Sequence, residues 1–141
     1  MQTTFAKNET VTRNWYAVSV KGKTTGPVAV RVATALMGKL KPDWTPHTDA
    51  GDFVVVTDVE LLAFTGKKAE NKIYRFYSGF VGGLKEVSLG VLHKNKPEEV
   101  FYLAVKRMLP KTIQGRHQLK RLKIYKGATH PHIGQGPKPL P

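Results

Sequence analysis

No cysteine occurs among the 141 residues, which excludes disulfides, thiolate zinc sites, iron–sulfur clusters and cysteine nucleophiles. Long apolar runs are missing too. Nothing approaches the ~18–20 residues that cross a bilayer, and no charged-then-apolar leader is expected ahead of Thr3–Asn14. The third scarcity is regional: all ten acidic residues lie at or before Glu99, and none follows.

What remains is a basic chain with enough apolar content, 40%, to bury a core as one folded domain. Residues 1–99 carry 14 Lys or Arg against those ten acids, a net +4. Residues 100–141 carry nine and no acid, a net +9. A one-signed third of a chain repels itself until a polyanion or salt neutralises it. Its apolar residues form no continuous lipid-facing stripe, so a nucleic acid is favoured over an anionic membrane.

Periodicity places the elements. Residues 1–14 are polar and read as an arm or lead-in. Trp15–Val20 is bulky and β-favouring, and it ends at the turn Lys21-Gly22-Lys23. Pro27 sits where a first helical residue would, and Gly38 marks that helix's end. Lys41–Gly51 reads as a loop. Phe53–Thr57 is apolar on both faces, as a covered parallel strand requires. Ile73–Tyr77 reads as another strand, followed by the flexible Ser78–Gly83 segment. The order strand, helix, strand, strand predicts an α/β domain. From residue 87 the pattern turns helical. Pro97-Glu98-Glu99 starts one helix that Pro110 stops, and a second is predicted over Gly115–Tyr125. There Arg116, Lys120 and Lys123 would share one face. From Gly127 the proline-rich chain has no helical pattern and is expected to be an extended tail, set apart from a single domain of residues 1–126.

Motifs that carry chemistry are weak. Gly22-Lys23-Thr24 follows a strand and precedes a helix, but a phosphate loop needs a glycine where Ala17 stands. That arrangement motivates the rival reading, an α/β enzyme acting on a nucleotide or nucleic acid. His130-Pro131-His132 brings two imidazoles together without the further ligands that zinc needs. Asp49, Asp52 and Asp58 read as turn and strand-start residues whose carboxylates accept backbone N–H bonds. No G-x-S-x-G elbow surrounds any serine, and the Asn8-Glu9-Thr10 sequon would meet no glycosylation machinery without a leader. No catalytic constellation, metal site or cofactor is expected. The basic third differs, because Lys106-Arg107, Lys111, Arg116-His117, Lys120-Arg121 and Lys123 alternate with Pro110, Tyr125 and glycines. Phosphates take such charges and guanidinium forks, and splayed bases take flat faces. The glycines at 115, 127, 134 and 136 would let backbone approach a phosphodiester. Tyr125 itself reads as core packing.

Several stretches together resemble the L-thirteen family of large-subunit ribosomal proteins, in its bacterial or organellar form. They are Asp49–Val56, Thr65-Gly66-Lys67-Lys68, Ser78–Lys85, Ala104–Lys111, Gly115-Arg116 and Leu122–His132, in order from about Trp15 to Pro137. The resemblance implies a three-layer α/β/α fold with a four-stranded parallel sheet, C-terminal basic helices and an extended tail. It implies a non-catalytic structural role: binding large-subunit ribosomal RNA beside neighbouring ribosomal proteins, and supporting subunit assembly in a cytoplasmic or organellar ribosome. No membrane and no small-molecule substrate is implied. The RNA contacts carried over are Lys67, Lys68, Lys85, Lys106, Lys111, Arg116, Lys120, Lys123, Lys126, His130 and His132; the basic pattern adds Arg107 and Arg121. The chain departs from the family pattern at Thr25-Gly26-Pro27, Tyr77, Arg107 and Gly134-Gln135-Gly136.

Overall fold

The computed structural model describes residues 5–7 and 9–141; Asn8 of the sequon and part of the N-terminal arm lie outside them. The described lead-in is tied to the 41–52 loop: Thr48 Oγ1 donates to the Ala6 carbonyl, and Lys41 Nζ to that of Thr12.

Strand β1 (Trp15–Ser19) is followed by helix α1 (Thr25–Met37) and strand β2 (Phe53–Thr57). Helix α1 starts two residues before Pro27, which becomes its third residue. Gly38 ends it in the left-handed region at φ 80°, its N–H returned to the Ala35 carbonyl, as an αL cap requires. The helix buries Val28, Val32, Ala35 and Leu36, one face at 3.6-residue spacing. β1 and β2 pair in parallel, Trp15 beside Phe53 through Ser19 beside Thr57. The β1–α1–β2 unit is as expected.

Next come the short helix α2 (Lys68–Asn71), strands β3 (Ile73–Tyr77) and β4 (Leu84–Ser88), and helices α3 (Leu89–Asn95) and α4 (Pro97–Met108). β3 has the expected bounds but does not join the parallel sheet. It forms an antiparallel hairpin with β4, and β4 occupies residues that sequence patterning left as the approach to a helix. Helix α4 has the expected start: Pro97 leads it, with Glu98 and Glu99 in the first turn and Lys106 and Arg107 in the last. Both ends suit the macrodipole.

The C-terminal region differs most. Helix α5 spans Ile113–Lys120, and the chain then becomes strand β5 (Leu122–Ile124), where a helix to Tyr125 was expected. The segment after Gly127 forms a 3-10 turn over Pro131–Gln135 and strand β6 (Lys138–Pro139). β5 pairs with β2 and β6 with β1, all parallel, which gives the four-stranded order β5-β2-β1-β6. The sheet has the expected size, but two of its strands come from segments read as helix and extended tail. Proline is tolerated in β6 because that strand lies at the sheet edge, and Leu140 N–H donates to the Ala17 carbonyl just beyond it.

The main core joins Val20, Val32, Leu36, Val54, Val56, Phe101, Val105 and Leu122. It brings α1 and α4 against the sheet face that carries Val54 and Val56. The other face carries Trp15 stacked on Phe53 and receives His132 of the C-terminal segment. A smaller cluster of Tyr74, Leu89, Leu92 and Val100 fixes the hairpin, and Phe64 packs against both clusters.

Candidate nucleic-acid interface

The turn between α4 and α5 is built by local chemistry. Thr112 caps α5, its Oγ1 accepting the Gly115 N–H at 3.3 Å, as an N-cap threonine does. Gly115 is buried against the turn, where any Cβ would overlap the Pro110 carbonyl. That glycine therefore serves an internal approach and not the approach to a phosphodiester that the basic pattern predicts. The tight turn leads the chain from α4 into α5, which packs against α1. Between α4 and α5 lies a groove of about 460 Å³ with Leu103, Leu109, Pro110 and Leu119 on its walls and Lys106, Arg107, Lys111 and Arg116 bordering it. All four cations are exposed, and none joins the three ion pairs found among the described residues. With no carboxylate after Glu99, this groove is an uncompensated cationic surface.

The other expected contacts are more dispersed. Lys120 is exposed at the end of α5 and Lys126 beyond β5, while Lys123 is half-buried within β5. The face expected to join Arg116, Lys120 and Lys123 does not form, because the helix stops at Lys120. Strand alternation instead turns Lys123 away from Leu122 and Ile124, which join the core. Lys85 is exposed on β4, opposite Phe76. Lys67 and Lys68 line a second, larger cleft, and Arg107 borders both cavities. Lys72 and Tyr74 of that cleft were missed, although Lys68 and Lys72 have the i, i+4 spacing that could have linked them.

Arg121 is placed unlike the exposed cations of the groove. It is 7% exposed, and its guanidinium grips Asp49 through Nη1 at 2.6 Å and Nη2 at 2.5 Å, with a further bond to the Leu36 carbonyl. Such a two-pronged pairing is what a buried arginine requires. In the fold it ties Asp49 and the Leu36 carbonyl together. Burial raises the Asp49 carboxyl, but the hydrogen bond and charge of Arg121, aided by Arg13 and His117, outweigh that and hold it below its ordinary value. Gly51 completes the arrangement, since a Cβ there would overlap the Leu36 carbonyl and crowd Arg121 Nη2. Asp52, fully buried, accepts the Asn14 N–H and the Lys41 ammonium, each at 2.8 Å. The Asp49–Asp52 stretch is thus an internal joint between the loop, β2 and β5.

The tail histidines are also engaged within the chain. Tyr125 Oη and His132 Nε2 are 2.8 Å apart, His130 Nδ1 accepts the His132 N–H, and the His132 ring lies 5.1 Å from Trp15. Both rings remain half-buried, and Gly127 and Gly134 border open space.

The turn at Gly22 offers no phosphate cradle. Gly22 N–H donates to the Leu61 carbonyl and Lys23 N–H to that of Val20, so the amides a phosphate loop would present are already used. This removes the feature that motivated an enzyme acting on a nucleotide.

The family model for ribosomal protein L13 matches residues 13–131. The "large ribosomal subunit protein uL13" of Thermosipho africanus is 52% identical over 136 residues, covering 96% of this chain and 91% of that one. The protein of the same name from a Geobacter species is 51% identical over 140 residues, 99% of each chain. That of Thermotoga petrophila is 48% identical over 139 residues, 99% of this chain and 93% of the other.

Proposed function

The chain belongs to the ribosomal protein L13 family, and from that premise we propose how it serves as a structural constituent of the large ribosomal subunit. It is no enzyme: it binds ribosomal RNA, sits among neighbouring ribosomal proteins and supports assembly of the subunit. Residues 1–126 act as the α/β unit that carries the contact groups, with residues 127–141 held onto it. The contact is made chiefly by the groove of Lys106, Arg107, Lys111 and Arg116, extended by Lys120, Lys123 and Lys126. Lys67 and Lys68 add to it from the adjoining cleft that shares Arg107, Lys85 adds to it from the hairpin, and His130 and His132 shape the tail. Arg121 has no part in it.

The single observation that carries this reading is that four of the nine cations in the acid-free run after Glu99, Lys106, Arg107, Lys111 and Arg116, border one groove. Phosphates neutralising it release counterions, which makes binding steeply salt-dependent. The chain should co-sediment with large ribosomal subunits and leave them only in high salt. Affinity for large-subunit RNA that hardly changed between low and high salt would sink the mechanism.

A further inference from the structure

The larger cleft lies between the start of α1, the loop leading to α2, α2 itself and α4, and holds about 930 Å³. Its size is that of a pocket for a small ligand or a single nucleotide. Lys67, Lys68, Lys72 and Arg107 stand on its wall, and no carboxylate lines it. Tyr74, 2% exposed, forms part of the base, with Lys72 Nζ 5.2 Å and Arg107 Cζ 5.3 Å from its ring centre. Such cation–ring contacts hold both charges at the rim. Phe64 and Met108 supply apolar surface beside them, and the Thr25 hydroxyl is buried there without a hydrogen-bond partner.

An apolar floor under four uncompensated cations is complementary to an anion that also has a flat apolar body. An acidic peptide would satisfy the charges and leave the floor unfilled. A nucleotide unit satisfies both, since its phosphates and its base are separated by a sugar's length and the base has a π-face. Arg107 borders this cleft and the α4–α5 groove alike, so one strand can pass from the first to the second.

We propose that this cleft holds one unstacked nucleotide of large-subunit ribosomal RNA. Its flanking phosphates lie on Lys67, Lys68, Lys72 and Arg107, and its base lies over Phe64 and Met108. The proposal rests on the ribosomal reading above and adds to it a second contact, separate from the α4–α5 groove.

The test uses the full chain and two variants. Asn71→Trp fills the cleft from an exposed position while every cation stays, and Lys68→Glu reverses one wall charge. With purified large-subunit ribosomal RNA, Asn71→Trp should bind about tenfold more weakly, the scale of one lost stacked base. Lys68→Glu should weaken binding as well, with thermal melts showing both variants folded. Ultraviolet irradiation of intact subunits should leave a nucleotide on a peptide containing Phe64 or Met108, and Asn71→Trp should abolish that adduct. If both folded variants bind as the parent does and the adduct is absent, the cleft proposal is overturned. Salt-dependent co-sedimentation would survive that result, so the two readings fail separately. A crosslink from the cleft to a neighbouring protein would overturn it, and so would saturable micromolar binding of free AMP or GMP by the isolated chain.

Discussion

Arg116 and Arg121 stand close together in a run without acids, yet they do opposite work. Arg116 is exposed in the cationic groove, whereas Arg121 is buried against Asp49. The two cannot be told apart by charge or spacing, because the partner of Arg121 lies 72 residues upstream. Asp49→Asn should therefore destabilise the fold by about 3 kcal/mol, since it leaves a guanidinium buried without its counter-ion. Urea unfolding at neutral pH measures this, and Arg116→Ala in the same assay should stay within about 0.5 kcal/mol. The Asp49 carboxyl is held below its ordinary value in the folded chain. Its contribution is thus fully present above the unfolded value near pH ~4 and is lost as pH falls through the lower folded value. Over an acid titration the parent should lose more stability than Asp49→Asn, and parallel curves would show that the pair is not the cause. Gly51→Ala should cost about 2 kcal/mol or more, because its methyl group would meet the Leu36 carbonyl in a region with no slack.

Elements with a strong internal pattern were legible, and those defined by their neighbours were not. β2 is a continuous apolar run, and α4 opens on proline and two glutamates, so both could be read directly. β4 has a largely exposed face pattern and exists because β3 pairs with it. β5 is three residues long, and its lysine between two core residues fits a helix as well as a strand. β6 contains proline and two residues only; its place follows from β1 offering an unpaired edge. Removing residues 137–141 should then expose the β1 edge and the pocket of Leu140, lowering stability by about 2 kcal/mol, the scale of one partly buried leucine and a few strand bonds. A thermal melt checks it; an unchanged midpoint would mean that the segment does not hold the sheet. Phe80 and Val81, fully outside the core at the hairpin tip, should tolerate serine within about 0.5 kcal/mol in the same experiment.

For the whole molecule, the division of charge is the governing feature. A body near +4 carries a segment near +9, and the fold gathers only part of that excess into one groove. Lys106→Ala, Lys111→Ala and Arg116→Ala combined should flatten the log–log dependence of RNA affinity on salt by about 2–3 units, at 0.7–0.9 per phosphate contact. A titration of RNA binding across salt concentrations reads that slope directly. Composition and order alone determined the α/β class, the absence of thiol chemistry and the polyanion partner, because these depend on residue types and short-range periodicity; the family resemblance came from the ordered motifs themselves. The tertiary structure alone decided which cations remain free, since pairing Arg121 with Asp49 and turning Lys123 along a strand are long-range events. It also decided that the last strands of the sheet come from the C-terminal segment. Hydrogen bonding to an open strand edge can recruit a sequence whose own preferences say nothing of a strand.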